Sequence, residues 1–364
     1  FTRSPFRYQP VNGKQWKGDL VKLVRAETAY SEAWSAQGAL NGVGWDRRRV
    51  YTAVPGPSAD LGNLTRFTDG NAAKLAPVLG LEEAQATRFA RWLLGKDEYD
   101  ENKNGSTADE HNKLFDIYHS GMVRVGPPDA SIAEMAYRNF LTANSKRDRL
   151  IYIQANDGMV HGFNDSDGGE RFAFIPPNVL ESGRLRGLQW DDIAKRYETS
   201  TTYPRYLADG PLVAEDVQVD GEYRTLLMGL LGLGGAGMYV LDVTDPDTPF
   251  FRWAVENAVF QLYDTKLLTQ NEASVRFWQS GAGSSVSTTE YLHKDIGTNE
   301  EVDYRALRFT VSTPFIGYLD REGSREWAFV MGNGSSRDVT GEGQNIGVVY
   351  VGRMADGTIL RALT

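Results

Sequence analysis

The sequence predicts an all-β chain, a modified β-propeller of four-stranded antiparallel blades with helical and long-loop insertions. Three observations carry that prediction. Glycine is abundant, 38 of 364 residues, and aromatic side chains make up 11%; this balance suits tight turns between aromatic-filled strands better than a helical bundle. Short runs of alternating residues are closed by Asn, Asp, Gly or Pro. These runs then fall into units that repeat the same turn grammar.

The stretch 150–176, LIYIQANDGMVHGFNDSDGGERFAFIP, shows the grammar most fully. Ile151 and Ile153 alternate with Tyr152 and Gln154, as one face of a strand requires. Asn156, Asp157 and Gly158 supply a turn, and the segment from Met159 to Phe163 reads as the next strand. A second turn spans Asn164 to Gly169, and a third strand runs from Arg171 to Ile175 until two prolines stop it.

Taken in order, residues from Asp19 to Arg25 form a strand, with Ala33 and Trp34 on its partner. Residues from Arg49 to Val54 form another, ended by Pro55, Gly56 and Pro57. Between 55 and 113 the texture changes to a helical and loop insertion. There LEEAQATRFARWLL, 81–94, has helical spacing, and Gly95 stands where a C-cap belongs. Strand texture resumes from Phe115 to Val125. A helix over 131–144 follows, with Ser131 as N-cap and Glu134 completing a capping box. Trp190 through Tyr197 is assigned a helical turn.

Four strands then follow within 211–255 and four more within 312–363, separated by a polar loop insertion at 257–306. Aligned, the units give three blades and an N-terminal partial one. Because a closed ring holds about 4–8 blades, 1–364 reads as one incomplete propeller domain. A β-sandwich would explain the strands but not the aligned turns.

Charge and composition narrow the function. A net charge of -9 leaves no basic footprint for nucleic acid. With no cysteine, disulfides, thiolate zinc sites and cysteine nucleophiles are excluded. No run of about 18 apolar residues is present to span a bilayer as a helix. The opening FTRSPFRYQ has neither an initiator Met nor an apolar signal core, and so reads as the start of a mature or excised fragment.

The chemistry-bearing motifs are few. Gly232 to Gly237 matches GxGxxG, but a strand, MYVLDVTDP, follows where a dinucleotide site needs a helix; the segment is a hairpin. Asp100, Asn102, Asn104 and Gly105 resemble the opening of a calcium loop, with oxygen ligands at alternate positions and glycine at the sixth. The twelfth position is His111 instead of the bidentate Glu, though Asp109 lies nearby. Asp100, Asn102, Asn104 and Asp109 are thus the candidate calcium ligands, set against a plain solvated acidic loop. Asn164, Asp165 and Asp167 are assigned to a blade turn. The four histidines show no HxH or HExxH spacing, and no GxSxG occurs, so no catalytic residues are assigned. Asn156, Asp157 and His161 are read as structural.

In combination these blocks resemble the PilY/PilC proteins of type IV pili. IYIQANDGMVHGF followed by ERFAFIP is similar to that family's signature. FDIYHSGMVRVGPP, RTLLMGLLGLGGAGMYVLDVTDP, FVMGNGSS and VVYVGRMADG resemble four further segments in the family's order, with a fainter likeness at WKGDLVKLVR. The resemblance implies the C-terminal propeller region of a non-enzymatic, exported protein at the pilus tip or outer cell surface. Its implied roles are pilus assembly, surface adhesion and twitching motility, with minor pilins and a host or abiotic surface as partners. The family's own calcium loop, a DxDxDG-type segment, would fall after Thr364 and is not transferred to Asp100. The alternatives are a quinoprotein-type oxidoreductase, which lacks its vicinal cysteines and Trp-ended docking repeats here, and a carbohydrate-binding propeller.

Overall fold

The computed structural model describes residues 17–26, 29–57, 60–188, 190–191, 196–197, 206–257, 273–281, 285–293, 304–321, 324–335 and 347–363. An N-terminal hairpin of β1 (Val21–Ala26) and β2 (Ala29–Ser35) leads into helix α1 (Ala36–Asn41). Three short strands follow, β3 (Val50–Thr52), β4 (Gly56–Pro57) and β5 (Thr65–Arg66), and then helices α2 (Ala72–Leu79) and α3 (Glu83–Leu94). The first blade comprises β6 (Val123–Val125), β7 (Leu150–Ala155), β8 (Met159–Asn164) and β9 (Glu170–Ile175), with helix α4 (Met135–Ala143) between β6 and β7. After α5 (Pro177–Leu180) and a small pair, β10 (Trp190–Asp191) and β11 (Arg196–Tyr197), come β12 (Leu212–Val219), β13 (Glu222–Leu230), β14 (Gly237–Asp242) and β15 (Phe250–Asn257). Strands β16 (Ala273–Ser280) and β17 (Ser285–His293) precede β18 (Phe315–Arg321), β19 (Ser324–Gly332), β20 (Val349–Arg353) and β21 (Ile359–Leu363).

These strands make three large sheets, in the orders β5-β3-β9-β8-β7-β6, β12-β13-β14-β15-β16-β17-β4 and β18-β19-β20-β21. Each contains one of the four-strand meanders expected from the turn grammar. The meanders are antiparallel throughout; β3 adds to the first by parallel pairing with β9.

The sheets stack, and alternation along each strand sends successive side chains to opposite cores. On one side of the first sheet, Tyr152, Phe172 and Phe174 meet Leu227, Tyr239 and Phe251 of the second. On its other side, Ile151, Ile153 and Phe163 pack under Leu20, Trp34 and Leu40, so the N-terminal hairpin and α1 seal that face. The second sheet's far face places Met228, Val240 and Trp253 against Phe329, Met331 and Tyr350 of the third. Gly229 and Gly352 serve this packing by lying opposite large rings: a Cβ would come within 2.3 Å of Tyr239 at the first and 2.2 Å of Phe329 at the second.

Four local expectations are corrected. Only Val123–Val125 of the 115–125 run is strand, because the preceding backbone is bound elsewhere: Gly18 N–H donates to the Leu114 carbonyl and Asn156 N–H to that of Asp116. Helix α4 starts at Met135 with Glu134 at its N-cap, not at Ser131; the Glu134 carboxylate faces away to Tyr223 Oη, 3.0 Å, and Arg325. Residues 190–191 and 196–197 pair as β10 and β11 where a helical turn was expected, and 192–195 lie outside the described residues. Within 257–306, expected as loop, β16 and β17 extend the second sheet, since Val275, Trp278 and Val286 have apolar faces to bury. Residues 258–272, 282–284 and 294–303 of that insertion lie outside the described residues.

Candidate functional site: the junction built by the signature turn

The β7–β8 turn is forced by its residues. Gly158 has φ of 86°, a left-handed value costly for a residue with a Cβ, and its Cα faces Leu185 and Val179 without room for one. The turn aims Asn156 and Asp157 inward, and both are buried. Asn156 Nδ2 donates to Asp116 Oδ2 at 2.8 Å, while Asn156 Oδ1 accepts the Leu207 N–H at 3.1 Å. One side chain thus joins the 114–120 segment, the turn and the entry to β12.

Asp157 continues the junction. It accepts from Met159 N–H at 3.0 Å and lies 3.1 Å from His161 Nε2. His161 Nδ1 lies 2.8 Å from Glu170 Oε1, and Glu170 takes Nε and Nη2 of Arg48 at 3.1 and 2.8 Å. All four side chains are buried. Two carboxylates flank the imidazole, so both ring nitrogens serve as donors and the ring is cationic. Burial alone would lower the His161 pKa, but the charge of Asp157 and the bonds to both carboxylates raise it to about 9. Burial would likewise raise Glu170, yet Arg48 and His161 bring it down to about 2. The row Arg48, Glu170, His161, Asp157 therefore alternates in sign and sums to zero.

A second acidic group lies beside it. His119, exposed in part, places Nδ1 2.6 Å from Oδ2 of buried Asp209, and its N–H donates to Oδ1 at 3.2 Å. Asp116 has one buried carboxylate oxygen without a partner. Its burial raises its pKa, the Asn156 bond opposes this, and the charges of Asp209 and Asp157 add to the rise, which reaches about 6. Gln154 completes the junction: Nε2 donates to the carbonyls of Gly210 and Leu230, and Oε1 accepts from Tyr239 Oη at 2.9 Å. It bonds the first sheet to the second inside the core.

Asn156, Asp157 and His161 are thus brought together as a structural cluster. Sequence reasoning missed the residues that complete the junction, Arg48, Asp116, Gln154, Glu170 and Asp209. The one legible signal was the clustering of Asp116, His119 and the Asn-Asp-Gly turn within motif blocks.

The candidate calcium residues share a separate loop after α3. Asp109 Oδ2 accepts from the side-chain amides of Asn102 and Asn104, at 3.3 and 2.5 Å, which hold its pKa below the ordinary value. Asp100 accepts from the N–H groups of Asn104 and Gly105, and Asn104 Oδ1 from that of Ser106. His111 is turned away, bonding the carbonyls of Asn112 and Trp92, and Glu110 is bound to Lys113. Among the described residues, no three of His, Cys, Asp and Glu are grouped to hold a metal ion. Asp165, in the other acidic turn, pairs with Lys22 and Arg124. The Gly232–Gly237 segment joins two antiparallel strands, as a hairpin should.

Comparison with known proteins agrees with this architecture. The family profile described as the PilY1 beta-propeller domain matches residues 114–266, which span the first two blades and every junction residue except Arg48. The type IV pilus biogenesis factor PilY1 of Pseudomonas aeruginosa strain UCBPP-PA14 is 28% identical over 356 residues, covering 90% of this chain and 25% of that protein. PilY1 of strain PAO1 is 30% identical over 275 residues, 70% of this chain and 22% of its own length. A PilY1 homolog of Xylella fastidiosa is 29% identical over 252 residues, covering 65% and 18%. The chain therefore spans a quarter or less of these relatives. The crystal structure of the P. aeruginosa PilY1 C-terminal domain is 25% identical, with a TM-score of 0.38, covering 66% of this chain and 36% of that one. Residues 114–266 thus belong to the PilY1 beta-propeller domain family, and the chain as a whole is similar to the type IV pilus biogenesis factors of that name.

Proposed function

We propose that this chain is a non-enzymatic propeller module of a type IV pilus biogenesis factor, working outside the cell at the pilus tip or outer surface. In that role it docks minor pilins and supports pilus assembly, surface adhesion and twitching motility. The supporting observation is how the family-like blocks are used. Their charged residues neutralise one another inside a closed junction, consistent with a scaffold that presents loops rather than one that performs chemistry. No helix of the described residues is long and apolar enough to cross a membrane.

Deleting the gene in a piliated host tests the reading. Twitching zones should shrink and recover on complementation; undiminished motility in the deletion strain would overturn it. Calcium at Asp100, Asn102, Asn104 and Asp109 is a separate proposal, since four oxygen-bearing side chains on one turn suit a hard cation. Calorimetry should record calcium heat for the wild type and none for Asp100→Ala. Equal heats would remove Asp100 from the ligand set.

A further inference from the structure

We propose that the carboxyl groups of Asp116, Asp157 and Asp209 form a proton-operated latch on the 114–120 segment. With a proton held among them the His119 end of the segment is fastened, and once that proton is lost the end lets go. The segment forms no strand before β6 begins at Val123, and side chains fasten it instead. Phe115 N–H donates to Asp157 Oδ2 at 3.4 Å, and Asn156 Nδ2 to Asp116 Oδ2 at 2.8 Å. His119 meets Asp209 twice, through its N–H at 3.2 Å and through Nδ1 at 2.6 Å. Each of these bonds ends on one of the three carboxylates. Ser120 Oγ adds another by accepting the Gln154 N–H, and Phe115 and Ile117 pin the other end by their burial.

Three charged carboxylates would share too few donors. The Asn156 amide serves Asp116 and also steadies Asp209, to which His119 is the facing cation. Asp157 is already taken by His161 and the Met159 N–H, and beyond His161 the charges of Arg48 and Glu170 cancel. From the N-terminal hairpin, Asp19 is turned to Ser35 and Gln37. One Asp116 oxygen is thus left buried without a partner. A charged carboxylate in that position is costly, whereas the protonated acid sheds the charge and gains a donor. The direction of its pKa agrees. Burial raises it, the Asn156 bond opposes this, and the charges of Asp209 and Asp157 add to the rise.

Loss of the proton sets Asp116 against Asp209, and the bonds between His119 and Asp209 are the ones that water reaches. The His119 side chain is 44% exposed, while that of Asp209 is fully buried. Phe115 and Ile117 stay in their cores, so the opening is confined to 118–120. Tyr118 lies edge-on to His119 and stacks on Tyr206 with centroids 5.6 Å apart, so it would move with the released end and reshape the surface at the entry to β12. The Asp116 pKa is raised from 3.8 to about 6, so the latch is fully fastened below 3.8 and weakens as pH rises through 6. Between pH 5 and pH 8 that difference amounts to about a tenfold change in opening.

Hydrogen exchange of the purified chain at pH 5 and pH 8, resolved by NMR to single amides and corrected for intrinsic rates, tests this. The His119 N–H should lose about tenfold in protection at pH 8, while amides paired between β7 and β8 keep theirs. Asp116→Asn cannot ionise and should hold the His119 protection constant. An imidazole also changes charge in this range, so His119→Gln separates the two sources. Its backbone N–H at 119 should still lose protection at pH 8. Equal protection at both pH values in the wild type, or a loss that persists in Asp116→Asn, would overturn the proposal. So would a loss that vanishes in His119→Gln.

Discussion

His161 shows how one residue of the signature turn acts. It sits on a strand with a carboxylate on each nitrogen, and removing its charge leaves Asp157 and Glu170 facing one another in the core. Breaking a buried pair in this way costs about 3–5 kcal/mol. His161→Gln should lower the urea midpoint accordingly, and an unchanged midpoint would contradict the charged-ring assignment. Its pH dependence has a definite sign. The folded pKa is raised from 6.5 to about 9, so the His161 contribution is complete below 6.5 and lost as pH rises through 9. Glu170 is depressed from 4.5 to about 2, so its contribution is present above 4.5 and lost as pH falls through 2. Thermal midpoints should fall toward both limits, and His161→Gln should flatten the alkaline side.

Asp116 has the opposite sign to Glu170. Its pKa rises from 3.8 to about 6, so folding favours the protonated acid and loses stability as pH rises from 3.8 through 6. Asp116→Asn should therefore raise the melting temperature at pH 7.5 and change it little near pH 4. A loss at pH 7.5 would show that the carboxylate is needed in its charged form. None of this was readable locally. Arg48 and Glu170 are 122 positions apart, and only parallel pairing of β3 with β9 brings them together.

At the scale of the element, the meanders were legible because each strand alternates and each turn declares itself. Asp220 and Gly221 both adopt positive φ between β12 and β13, as an Asp-Gly hairpin turn should. Helix α3 was equally plain, ending at Gly95 with φ of 121°. The 115–125 run misled because its alternation serves a docked loop whose polar groups bind Asp157, Asp209 and the turn. The β16–β17 hairpin was hidden by its Ser, Thr and Gln content, which hides buried Val275, Trp278 and Val286. Close sheet packing yields its own prediction. Gly229→Val would drive a side chain into Tyr239 and disturb the Gln154 bond, costing about 1–3 kcal/mol. Urea titration measures this, and a neutral substitution would contradict the packing assigned to β13 and β14.

Across the whole molecule, alternating side chains make each strand of the first two sheets serve two cores, and the buried junction fixes how those sheets meet. Gln154 ties them by two hydrogen bonds, to Leu230 and Tyr239, while Asn156 ties the turn to the 114–120 segment. The order of the blades was therefore legible, because local pattern repeats. Their mutual packing was not, because it depends on polar partners far apart in sequence. A fold fixed from inside in this way leaves its surface loops free to vary.

The proposed role of this scaffold in pilus biogenesis is tested by the pool of surface pilin released by shearing. A strain lacking the gene should yield markedly less sheared pilin than its parent, and the wild-type gene should restore it. His161→Gln should restore it only in proportion to the folded protein that accumulates. Parental amounts of sheared pilin in the deletion strain would rule that role out.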